Sequence, residues 1–123
     1  MKVVSGDLNG FIKHWDLRSS RSLRTKYIRH QMTAFSCHSK IPIFATGSNS
    51  SFVNIFTPFG ERLQCISKHK TVDKSQQRIG QISALTFHPT KPLLAFGSID
   101  KSASRKIKSS ISLYGPIAKF DFR

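Results

Sequence analysis

The chain has 123 residues, with 20 Lys or Arg against 6 Asp or Glu, a formal net charge of +14 and a pI near 10.5. That length supports one domain or part of one, and 38% hydrophobic with 11% aromatic residues is enough for a packed core, which excludes wholesale disorder. No run approaches the ~18 apolar residues of a membrane span, the first residues carry no apolar stretch of secretory-leader length, and two cysteines, Cys37 and Cys65, build no disulfide framework, so a reducing compartment is expected.

Ten Phe and short alternating runs between Gly, Asn, Ser and Pro predict an all-β chain of antiparallel strands. In chain order, a strand over residues 3–5 leads through Asn9-Gly10 into one over residues 11–16. That dipeptide is a hairpin signal because a primed turn needs positive φ at its centre. Further strands are expected over residues 22–27, 33–37, 44–47, 53–56 and 62–66. A polar stretch over residues 67–78 then reads as an exposed loop. Strands over residues 83–87 and 93–97 precede a basic, serine-rich insert at residues 101–110. A solvated hairpin tip is preferred for that insert over a phosphorylated segment, and a last strand covers residues 112–114. Pro42, Pro89 and Pro92 fall at strand edges or turns, where a missing N–H does least harm. No helical stripe of useful length is present.

The pattern repeats. Ala34-Phe35-Ser36-Cys37-His38 returns as Ala84-Leu85-Thr86-Phe87-His88, 50 residues on, and Ala45-Thr46-Gly47-Ser48 returns as Ala95-Phe96-Gly97-Ser98 at the same offset. Val4-Ser5-Gly6 is an earlier version of the second piece, 41 residues upstream of Gly47, and Trp15 lies the same distance before Phe56. A fixed period of this size is the signature of a repeat architecture.

The segment from Ser5-Gly6-Asp7 through Asn9-Gly10 to Trp15-Asp16-Leu17-Arg18 resembles the second half of a WD repeat. That family folds as a propeller of four-stranded blades. The resemblance implies structural roles for Ser5, Gly6, Gly10, Trp15, Asp16, Gly47, Phe56, His88, Gly97, Asp100 and Tyr114. Trp15 is expected to be buried beside Ser5 with its indole N–H satisfied there. The family's buried polar set is incomplete, since Asn9 and Ser50 stand at its Asp position and Phe56 and Tyr114 at its Trp position. Apolar packing of Phe35, Ile43, Phe44, Val53, Ile55, Leu85, Phe87, Leu94 and Leu113 is expected to hold the blades instead.

The run Gln77-Arg78-Ile79-Gly80 through Phe87-His88-Pro89, followed by Pro92 to Asp100, is similar to the last propeller blades of the raptor family, regulatory subunits of the TOR kinase. The same order of strands and turns extends over nearly the whole chain. The resemblance implies a non-catalytic scaffold in nutrient-responsive growth signalling, cytoplasmic or at the vacuolar or lysosomal membrane surface. Its implied partners are subunits of the TOR kinase complex. The expected architecture is fewer than three four-stranded blades: a blade remnant at residues 1–30, a blade at 31–66, the loop at 67–78, an incomplete blade at 79–115 and a tail at 116–123. The smallest propeller needs about 160 residues, so the chain reads as a piece of a longer protein whose missing blades are partners too.

No catalytic, cofactor or metal residue is expected. The six acids fall in turns and tails rather than as a converging pair, and no Gly-x-Ser-x-Gly elbow or Cys-x-x-Cys pair exists. There is no phosphate loop, and Gly6 and Gly10 are assigned to the hairpin. His38 and His88 share one repeat position, where stabilising the local turn is the expected role. The basic cluster Arg18, Arg21, Arg24, Lys26 and Arg29 is the one candidate contact surface. The leading reading is a solvated face of a larger protein; an acidic protein or anionic membrane surface comes next, then nucleic acid. Most of the aromatics sit at core-facing alternation, so they are not expected to form a free stacking platform for bases. Alternative functions are a WD-repeat module of another pathway or a basic nucleic-acid-associated protein.

Overall fold

The computed structural model describes residues 2–67, 81–101 and 107–114. Within them the chain is all-β, as the alternation predicts, with ten strands among the described residues. Strands β1 (Lys2–Gly6), β2 (Phe11–Asp16) and β3 (Arg21–Tyr27) form the first sheet. Strands β4 (Met32–Cys37), β5 (Phe44–Ser48), β6 (Phe52–Phe56) and β7 (Arg62–Ser67) form a central four-stranded sheet in sequential order. Strands β8 (Ile82–Phe87), β9 (Leu94–Lys101) and β10 (Ile107–Tyr114) form the third. Every pairing is antiparallel between sequence neighbours.

The expected loops over residues 67–78 and the tail over 116–123 fall almost wholly outside the described residues. The basic insert differs from expectation. β9 continues to Lys101 and β10 begins at Ile107, in one unbroken register from Ile107↔Lys101 to Tyr114↔Leu94. The alternating Ile107, Ser109, Ile111 and Leu113 suit a strand, so the hairpin extends into the stretch that polarity marks as a tip.

The central sheet is covered on both faces, and alternation within each strand sorts its side chains. On one face Phe44 and Phe56 pack with Met32 and Ile12, joined by Val4, Ile28 and Phe35. On the other, Ala45, Val53 and Ile55 pack with Ile82, Phe87, Leu94 and Phe96. β5 is buried along its whole length. The first cluster is aromatic: Phe35 and Phe56 stack on Phe44 with centroids 5.5 and 5.2 Å apart. Of the expected packing residues, Leu113 lies where no side chain is described. The expectation omitted Ile12, Met32, Ala45, Ile82 and Phe96, which complete the two clusters.

Candidate functional site

The repeated residues gather in the seams between sheets. Gly47 sits where the third sheet leans in: a Cβ there would lie 2.5 Å from Ile82 Cγ2. Gly6 meets Met32 of the central sheet in the same way, its Cβ position 2.6 Å from the Met32 sulfur. Gly6 therefore serves sheet packing and not the hairpin turn to which its place in the sequence assigns it. Thr33 Oγ1 donates across the second seam to the Ile82 carbonyl at 2.5 Å. Ser83, its counterpart one repeat later, donates to the half-buried Gly97 at 3.3 Å within its own sheet.

The first hairpin also departs from expectation. Positive φ occurs at Gly10 (92°) and not at Asn9, so the turn is not a primed one. The Gly10 N–H donates to the Asp7 carbonyl at 3.1 Å, and Phe11 N–H donates to Asp7 Oδ1 at 2.9 Å. The same turn recurs at residues 57–61: Gly60 N–H reaches the Thr57 carbonyl at 3.0 Å, Glu61 N–H reaches Thr57 Oγ1 at 3.2 Å, and Gly60 has φ 87°. In the turn that holds Ser50, Ser48 Oγ accepts the N–H groups of Ser50 and Phe52 at 3.3 and 3.1 Å, so there, as at Asp7, the accepting side chain is the first residue of the turn and not Asn9 or Ser50.

His38 and His88 each organise a turn. His38 Nδ1 accepts the N–H groups of Lys40 and Ile41, both at 3.0 Å. That leaves the Nε2 proton to donate across the seam to the Lys91 carbonyl, also at 3.0 Å. His88 Nδ1 accepts Thr90 and Lys91 N–H at 3.2 and 3.0 Å. Ser39 Oγ donates to the Pro89 carbonyl at 2.8 Å, tying the two turns together.

Trp15 donates its indole N–H to Ser5 Oγ at 2.9 Å. Its ring is only half-buried, against the expectation of full burial. Ile12 and His14 point into the central sheet and are buried, so Trp15, in alternation with them, lies on the first sheet's other face. Asp16 Oδ1 accepts Arg18 N–H at 3.0 Å and shapes the β2–β3 turn. Phe56, which the resemblance sets at a Trp position, stacks on Phe44 with centroids 5.2 Å apart. Asp100 and Tyr114 lie in β9 and β10, but their side chains fall outside the described residues.

The basic cluster is divided by the structure. Arg24 Nη1 donates to the Phe59 carbonyl at 2.8 Å, and Lys26 Nζ to the Gly60 carbonyl at 2.6 Å. These two grip a turn of the central sheet, so they join blades and are not a free surface. Lys2 adds its ammonium 4.9 Å from the Phe59 ring centroid. Arg18, Arg21 and Arg29 are exposed. Inside the grip, His14 is 7% exposed, and neither ring nitrogen has a side-chain hydrogen-bond partner among the described residues. Burial, then the positive charge of Arg24, hold its pKa below the ordinary value of 6.5 against an opposing pull from the Arg24 backbone, and Lys26 adds to the lowering. Thr46 Oγ1 and Asn54 Oδ1, cross-strand neighbours on β5 and β6, are likewise buried without partners among the described residues. No group of three or more His, Cys, Asp or Glu converges on a metal position among the described residues. The site is thus a set of sheet-to-sheet joints with a basic flank.

Comparison with known proteins gives the arrangement a setting. No protein-family model matches the chain. It is 37% identical over 105 residues to the "Regulatory-associated protein of TOR 1" of Arabidopsis thaliana, covering 84% of this chain. It is 30% identical over 105 residues to the "Target of rapamycin complex 1 subunit mip1" of Schizosaccharomyces pombe, covering 85%. The crystal structure of Chaetomium thermophilum raptor matches 92% of this chain with a TM-score of 0.71 and 26% identity. The chain spans 8% of the length of each of these two curated relatives and 10% of the Chaetomium chain.

Proposed function

The chain is homologous to the C-terminal region of the raptor proteins, and on that premise we propose that it acts as a non-catalytic propeller segment of a raptor-like scaffold in TOR complex 1. In this reading the three sheets are one blade remnant at residues 1–30, one blade at 31–66 and one incomplete blade at 79–115. Ser5, Gly6, Gly10, Trp15, Asp16, Gly47, Phe56, His88, Gly97, Asp100 and Tyr114 hold the blades and their joints. The exposed loops and edges meet other subunits of a cytoplasmic complex, with Arg18, Arg21 and Arg29 free to approach an acidic protein or a vacuolar or lysosomal membrane surface.

The observation that carries the proposal is the match of 92% of the chain to one region of a raptor structure at TM-score 0.71. Similarity in curated sequences from a plant and a yeast supports it. The test is affinity purification of the tagged protein from its own cells at physiological salt. Recovery of a TOR-type kinase is expected. Recovery of nucleic acid without the kinase, released steeply as salt rises, would overturn the reading.

A further inference from the structure

We infer that the open groove between the end of β3 and strands β6 and β7 docks an extended acidic peptide segment of a partner protein, whatever complex the parent protein joins. The groove has a volume of about 710 Å³; Lys26, Arg29, His30 and Arg62 line it together with the rings of Phe52 and Phe56. Arg29 and His30 also line a second depression of about 500 Å³. The two recesses share these residues and run on from one another, which suits a stretch of chain better than a single ion.

Charge complementarity names the occupant. Among the described residues, no Asp or Glu lines either recess. Burial and then the charges of Arg24 and Arg62 lower the pKa of Lys26. Lys26 is already held by the Gly60 carbonyl, so Arg29 and Arg62, both exposed, are the cations with which an entering carboxylate would pair. Arg62 stands opposite Phe56 across β6 and β7, and the Lys26 ammonium lies 4.9 Å from the Phe56 ring centroid. His30 stacks on Phe52 at 5.1 Å. The guanidinium groups of Arg29 and Arg62 thus flank flat ring surface at Phe52 and Phe56, the pattern that a peptide of alternating acidic and apolar side chains would match. Guanidinium forks pair with carboxylates through two parallel N–H···O bonds. A peptide fits better than a bilayer because the surface is recessed.

Arg29 supplies a clean test because its backbone is left-handed, with φ 58°. Asn tolerates that conformation better than Arg, so Arg29→Asn removes the charge without straining the turn. The probe is a fluorescein-labelled decapeptide of alternating Glu and Leu, compared by anisotropy with its Gln-for-Glu counterpart at 0.15 M salt on the full chain. The Glu peptide is expected to bind about tenfold tighter, and Arg29→Asn or Arg62→Gln each to weaken it several-fold. Lys40→Gln, a charge change at an exposed residue of the β4–β5 turn that lines neither recess, is expected to leave binding unchanged, and thermal melts confirm that each variant is folded. If Lys40→Gln weakens binding as much as Arg29→Asn, the attraction is only the overall charge and the inference fails. It fails equally if single-stranded oligonucleotide or phosphatidylserine vesicles bind with the same dependence on Arg29 and more tightly than the Glu peptide.

Discussion

Trp15 shows how one side chain's setting changes the expected energetics. A fully buried Trp replaced by Ala would cost about 3–5 kcal/mol, but this ring is half-buried, so about 2 kcal/mol is expected, part of it from the bond to Ser5. Ser5→Ala should cost about 1 kcal/mol, and a double-mutant cycle in urea should show the two substitutions to be coupled. Gly47→Ala should cost more than its single carbon suggests, about 1–3 kcal/mol, because the added carbon meets Ile82 within an already packed seam. A midpoint shift in urea checks it. The sequence marks Gly47 by its recurrence but not its reason, since the atom that excludes a side chain lies 35 residues further along. His38 and His88 were more legible because each ring acts on N–H groups two and three residues ahead. Arg24 and Lys26 read as solvated charge because their acceptors are backbone carbonyls 35 and 34 residues away, which composition does not reveal.

At the scale of elements, strand order and most strand bounds followed from alternation and turn residues. The β9–β10 hairpin runs further than its charge and serine content suggest, because isoleucine recurs at alternate positions. Joints between elements were the least legible part, and the first of them gives a pH prediction. His14 lies between β2 and the turn at residues 57–61, and its folded pKa is lowered. Above about pH 6.5 both folded and unfolded states carry it neutral, and its contribution to stability is constant. As pH falls through 6.5 the unfolded chain takes up the proton first, so stability declines until the depressed folded pKa is passed. Thermal melts between pH 7.5 and 5 should therefore show a falling limb that His14→Leu flattens. An unchanged limb in that variant would assign the effect to another group.

For the whole molecule, charge and surface apolarity act against each other. Leu8, Leu17, Leu23 and Tyr27 of the first sheet are more than half exposed, and β10 pairs only with β9 among the described strands. Unpaired strand edges and apolar surface favour association, while a net charge of +14 opposes it over a distance that salt shortens to about 10 Å at 0.1 M. Raising salt should therefore drive the isolated chain from smaller to larger species in sedimentation; a monomer at every salt concentration would show that the edges are already closed. The double cover of the central sheet has a consequence for motion. With neighbours on both faces and strands on both sides, β5 has no route to solvent that leaves the rest of the molecule intact. The first and third sheets can each lift away from one seam alone. Amide hydrogen exchange should accordingly be graded along the chain, with β5 exchanging only when the entire fold opens and β1 to β3 exchanging through a cheaper, partial opening. The molecule would then come apart from its ends inward, and the slowest amides would report the stability of the whole.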